Sequence, residues 1–184
     1  MKRRLFLTGD MGCGKSTAIR QALGDRMGRC GGFLTQRVYD DEGVLQGFQI
    51  CSTDGSKSMD FLVFFDGKPM IYPVSFETLG VSLLEGQALI LDEIGGVELF
   101  CPRFTAALYA VLESGVPILG VLKGEQPRTA MTEKLHLRQN YTVAAQVLRQ
   151  KLQEDPDTLI YECSQYDKNA LLLARQWAEE YCHD

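Results

Sequence analysis

Short apolar runs recur along the chain, each bounded by glycine, proline or acidic residues. Between them lie stretches whose apolar positions repeat every three or four residues. Residues 5–8, 88–91 and 116–122 are mainly apolar runs of strand length, as expected of buried strands, and 159–163 reads as a last strand. Helical spacing follows the first run at Ala18, Ile19, Ala22, Leu23 and Met27. It returns at Phe104, Leu108, Val111 and Leu112, where Pro102 suits a first turn and Gly115 a stop, and at Leu172, Leu173 and Trp177 within a helix over 169–181. The segment 125–155 is polar with helical spacing, so Asn140 is the expected cap of a helix burying Val143, Val147, Leu148 and Leu152.

Residues 31–74 have a different rhythm. Strands are expected at 31–38 and 47–51 around a turn at 40–43, and at 61–65 and 71–74 around a turn at 66–69, giving a mostly antiparallel hairpin region. Ser75 is the expected cap of a helix to about Leu84, with Phe76, Leu79 and Leu83 on one face. Alternation of strand and helix elsewhere predicts a three-layer α/β fold with a mainly parallel sheet, 1–184 forming a single domain that carries the 31–74 excursion and a 125–155 helical elaboration.

Composition narrows the function classes. Lys plus Arg number 19 against 24 for Asp plus Glu, a net charge of −5, so an extended nucleic-acid surface is not expected. No apolar run reaches the roughly 18 residues that cross a bilayer, and the expectation is a soluble cytoplasmic protein without a membrane partner. The six cysteines form no C-x-x-C pair and only two histidines accompany them, which disfavours zinc sites and disulfide frameworks. No G-x-S-x-G elbow is present for a hydrolase triad.

The chemistry begins where the first strand ends. Gly9-Asp10-Met11-Gly12-Cys13-Gly14-Lys15-Ser16 matches the P-loop pattern G-x-x-x-x-G-K-[ST], the Walker A motif, with a strand before it and a helix after it. Glycines let successive backbone N–H groups and a helix N-terminus wrap around phosphate oxygens. Lys15 is then expected to reach the β- and γ-phosphates, Ser16 to offer its hydroxyl to Mg²⁺, and Thr17 to lie near the α-phosphate. Cys13 is read as a small filler beside the last glycine.

A second cluster ends the 88–91 run. Asp92 fits the Walker B role at the metal, and Glu93 stands where a carboxylate orients and deprotonates an attacking water. In an open parallel sheet ligands bind beyond the carboxyl ends of the strands, so both acids and the Gly9 loop are expected to converge on one crevice. A kinase needs no water-activating group there, so the Asp-Glu pair leans towards hydrolysis.

Gly9 to Thr17, Gly31-Gly32-Phe33-Leu34-Thr35, Gly47-Phe48-Gln49-Ile50 and Asp92-Glu93-Ile94-Gly95 with Glu98-Leu99 occur in an order that resembles the small P-loop nucleoside-triphosphatases of the thermophile and cancer-related type. The resemblance covers about residues 5–122. It implies a RecA-like fold, Mg²⁺ dependence and hydrolysis of ATP, GTP and other nucleoside triphosphates with loose base preference. It also implies phosphate and metal roles for Gly14, Lys15, Ser16 and Thr17, and it includes Glu98, for which a helix-start acid and a site role stay equally open. The C-terminal third departs from the pattern. A helical stretch follows Lys123 where the family has a Thr and a short basic loop, and Asp167-Lys168-Asn169 stands where an N-R-D-like string is usual.

No arginine finger is identifiable; Arg37, Arg103, Lys123, Arg128 and Lys168 are candidates that individually read as solvated surface cations. Slow turnover is therefore expected. No N-K-x-D string supports a guanine switch, and Phe33, Tyr39 and Phe48 read mainly as hairpin packing rather than base stackers. Alternatives are a small-molecule or nucleotide kinase with 125–155 as lid, or a nucleotide-operated module meeting a protein or RNA partner.

Overall fold

A computed structural model describes residues 1–124, 139–165 and 167–183. The described strands, in chain order, are β1 (Arg4–Thr8), β2 (Gly31–Tyr39), β3 (Leu45–Ser52), β4 (Ser58–Phe65), β5 (Lys68–Ile71), β6 (Leu89–Ile94), β7 (Ile118–Leu122) and β8 (Thr158–Glu162). The helices are α1 (Lys15–Leu23), α2 (Val81–Leu83), α3 (Pro102–Ser114), α4 (Gln139–Glu154) and α5 (Lys168–Tyr181). The strands form one sheet in the order β5-β4-β3-β2-β6-β7-β1-β8, so the fold is α/β. From β2 to β8 the neighbours run parallel, and β3, β4 and β5 extend the β2 edge antiparallel. The hairpin region is thus a continuation of the main sheet, and its first strand, β2, belongs to the parallel part.

The alternating side chains of β1 divide the core. Phe6 faces a layer with Phe33, Phe76, Phe104, Leu108 and Leu148, whereas Leu5 and Leu7 face Ile19, Leu23, Ala174 and Trp177. Phe76 meets both Phe61 and Phe104 at 5.1 Å between ring centroids, edge-on or tilted. Phe33 is fully buried among these rings, which removes it from any base-stacking role.

Several sequence expectations are revised. The turn before β5 is only Asp66-Gly67, both at positive φ (49° and 72°), so Lys68 and Pro69 are already strand, paired with Phe65 and Phe64. A two-residue Asp-Gly turn matches the twist of a hairpin, and proline is tolerated on an edge strand. Ser75 caps nothing: its hydroxyl bonds the Asp60 carbonyl, and the chain continues as a π turn over Phe76–Gly80 into α2. In α4, Ala145, Leu148 and Leu152 are buried while Val143 and Val147 are exposed. At about 100° per residue, positions 145, 148 and 152 fall roughly 140–200° from 143, so the four expected residues make two opposed stripes. Asn140 lies within α4 and not ahead of it, and the segment 125–138 lies outside the described residues. The last helix, α5, begins at Lys168, and Asp167 caps it by accepting from the amides of Asn169 (2.9 Å) and Ala170 (3.3 Å).

Candidate active site

β1 stops at Thr8 and the chain turns through Gly9 to Gly14 before α1 begins at Lys15. Two glycines are required by geometry. Gly9 has φ 126°, and an added Cβ would approach the Cys163 carbonyl oxygen to 2.6 Å; Gly14 sits left-handed at φ 97°, immediately before the helix. Asp10, Met11, Gly12, Gly14 and Thr17 are exposed, Lys15 and Ser16 partly so, and Cys13 is buried. The Lys15 ammonium folds back over the loop, donating to the carbonyls of Gly9 (2.9 Å) and Asp10 (2.6 Å) and lying 3.4 Å from Cys13 Sγ. Its charge is met by neutral acceptors, an arrangement an incoming anion outcompetes.

β6 brings the second half of the site. The Ser16 hydroxyl donates to Asp92 Oδ1 at 2.8 Å across 76 positions of sequence, and the Thr35 amide lies 3.4 Å from Oδ2. Asp92 is 1% exposed. Burial pushes its carboxyl up to about 6, working against the Ser16 hydroxyl bond that pulls it down. Asp92 and Glu93 occupy a bulge, because β6 pairing with β7 runs to Leu91↔Gly120 and resumes at Ile94↔Leu122. Glu93 takes φ 67°, a left-handed conformation that a glutamate adopts only where its surroundings impose it. The bulge turns consecutive acids apart: Asp92 inwards to Ser16, and Glu93 outwards with a side chain 40% exposed and 3.7 Å from Lys123 Nζ.

Glu98 resolves in favour of the interior. It is 2% exposed and its carboxylate accepts from the backbone amides of Gly95 and Gly96, closing the turn after β6. Burial raises its pKa, partly opposed by the Gly96 amide and by Lys123. Of the cations considered from sequence, Lys123 is the one beside the candidate acids, with a side chain only 14% exposed, which replaces the reading of a solvated surface charge. Arg37 and Lys168 are exposed, the Arg103 amide pairs with Glu77, and Arg128 lies outside the described residues. Sequence reasoning passed over Arg149, which reaches from α4 to donate to Thr8 Oγ1 at 3.1 Å, one residue before the loop. No local pattern marks it, since the contact spans 141 positions.

The donor set suits a hard cation. A serine hydroxyl and a carboxylate 2.8 Å apart offer oxygen ligands only, the kind Mg²⁺ takes while keeping several waters. A concavity of about 440 Å³ between α3 and α4 is lined by none of these residues. The loop itself is open to solvent.

A parallel sheet with a glycine loop and helix N-terminus at one strand end, and a buried aspartate hydrogen-bonded to the loop serine from another, defines the P-loop class of α/β proteins. The profile of a family described as NTPase matches residues 4–156, most of the chain, and the protein belongs to that family, the nucleoside-triphosphatases of the THEP1 and cancer-related type. Nucleoside-triphosphatase THEP1 of Aquifex aeolicus is 34% identical over 118 residues, spanning 55% of this chain and 66% of that one. THEP1 of Methanocaldococcus jannaschii is 31% identical over 65% of this chain and 77% of its own length. The cancer-related nucleoside-triphosphatase homolog of Mus musculus is 29% identical over 78% of this chain and 87% of its own length. The crystal structure of THEP1 from Aquifex aeolicus superposes with a TM-score of 0.69 at 19% identity, covering 98% of this chain and 99% of the other, a likeness of fold. Among the described residues no helix is long and apolar enough to cross a membrane.

Proposed function

We propose that the protein is a Mg²⁺-dependent nucleoside-triphosphate phosphohydrolase, converting nucleoside triphosphate and water to diphosphate and phosphate with broad base preference and slow turnover. The observation that carries the reading is the 2.8 Å bond between Ser16 and Asp92, which unites the Walker A and Walker B stretches at one point. The family membership supports hydrolysis in general terms.

In this reading the amides of residues 9–14 and the N-terminus of α1 cradle the phosphates, and Lys15 leaves its carbonyl partners for the β- and γ-phosphate oxygens. Ser16 and Asp92 would hold Mg²⁺, which supplies charge neutralisation between the β- and γ-phosphates. Glu93 orients a water and takes its proton as the oxygen bonds the γ-phosphorus. The bridging P–O bond breaks and its electron pair departs with the diphosphate. With no arginine identified at the developing charge among the described residues, that charge is left to Lys15 and the metal, which is why slow turnover is expected.

Phosphate release from ATP, GTP, CTP and UTP without any added acceptor, with and without Mg²⁺, tests the reading and separates it from a kinase. Lys15→Ala should abolish tight triphosphate binding, whereas Glu93→Gln should bind normally and lose turnover. No phosphate release from any of the four would sink the hydrolase reading.

A further inference from the structure

Lys123 follows β7, the strand lying between the one that feeds the P-loop and the one that carries Asp92. Its amide donates to the Ile94 carbonyl at 2.9 Å, stitching the two strand ends together just beyond the bulge. The side chain then lies across the Gly95-Gly96 turn. A Cβ added to Gly95 would meet Lys123 Cβ at 3.7 Å, and one added to Gly96 would meet Lys123 Nζ at 3.4 Å and Glu98 Oε2 at 2.9 Å. A lysine at a sheet edge ordinarily extends its head into water; this one is folded down between two acids. One is Glu98, buried and bonded to the turn amides, and the other is Glu93, whose carboxylate is 3.7 Å away.

The arrangement solves a specific difficulty. Glu93 is held at φ 67° on a bulge, with a long flexible side chain that is 40% exposed. Nothing in its backbone directs the carboxylate, and the nearest fixed cation is the Lys123 ammonium. An ammonium folded onto the turn at 3.7 Å gives Glu93 one orientation. From this we infer that Lys123 is a positioning residue: it anchors the Glu93 carboxylate and, with Glu98, clamps the turn that carries it. The inference rests on the reading of Glu93 as the general base. A direct bond from Lys123 to the γ-phosphate is the rival account, and the two predict different kinetics.

A double-mutant cycle on the full-length protein decides, using kcat, KM and the affinity for a non-hydrolysable triphosphate analogue with Mg²⁺. Lys123→Met should lower kcat by about ten- to a hundredfold, the scale of a catalytic group displaced by about an ångström. KM and analogue affinity should stay within about twofold, and Lys123→Arg should recover most of the loss. In the Glu93→Gln background Lys123→Met should slow the residual rate by less than about twofold, since the group it positions is already gone. Retained analogue binding shows that each variant is folded. Equal slowing in both backgrounds, or a raised KM with kcat unchanged, overturns the positioning role and leaves the Glu93 assignment standing. Parental turnover by Glu93→Gln overturns the general-base assignment and the proposal with it. A Lys123→Met variant that fails to bind analogue, while Lys123→Arg binds it and hydrolyses triphosphate at parental kcat, overturns the proposal in favour of a folding role.

Discussion

Asp92 shows how a single carboxyl links site chemistry to stability. Its ordinary value is 3.8 and the folded value about 6, so between them the native state holds a proton that the unfolded chain has released. Stability of the ligand-free protein therefore falls as pH rises through that window, and above about 6 the full cost is in force, up to about 3 kcal/mol. Asp92→Asn should accordingly raise the melting temperature of the ligand-free protein at neutral pH, with the gain shrinking towards pH 4, while eliminating Mg²⁺-dependent turnover. A pH series of thermal melts on both proteins measures it; an identical pH dependence would contradict the burial argument. At this scale the sequence named the loop and both acids. It could not say that one acid faces in and its neighbour out, because that depends on a bulge created by pairing with β7.

Among the elements, α4 separates what periodicity tells from what it omits. A helix with two apolar stripes satisfies the same spacing on either face, and only docking against the sheet selects Ala145, Leu148 and Leu152. Leu148→Ala should cost about 2–5 kcal/mol in urea unfolding, whereas Val147→Ser, on the exposed stripe, should change stability by no more than about 0.5 kcal/mol. Equal losses would place the core on the wrong face. The docked face also delivers Arg149 to Thr8, so loosening α4 disturbs the base of the P-loop. The parallel strands were legible because runs such as 88–91 need no partner to be recognised. The start of β5 was not, since a two-residue turn and a four-residue one share the Asp-Gly signal.

For the molecule as a whole, α5 closes the fold over the helix that follows the P-loop. Trp177 is fully buried and its indole N–H donates to the Arg3 carbonyl at 2.9 Å, tying the last helix to the approach of the first strand. Trp177→Ala should cost about 3–5 kcal/mol. A saturating triphosphate analogue, at about a hundredfold over Kd, should restore roughly 2.7 kcal/mol, because ligand binds only the folded protein. Melting curves with and without analogue test both numbers, and an analogue that leaves the melting temperature unchanged would mean that the loop is no binding site.

By itself the sequence determined the alternation of buried strands and helices, the glycine loop with its lysine and serine, and the acid pair at a strand end. Each is a contiguous pattern whose physical cause is local: backbone freedom at glycine, helix spacing, or an unbroken apolar run. Tertiary structure alone decided which face of α4 is inside, and that Lys123 and Arg149 approach the site. Those outcomes depend on contacts between distant segments, 141 positions apart for Arg149 and Thr8, where packing and charge compensation leave no mark on either one.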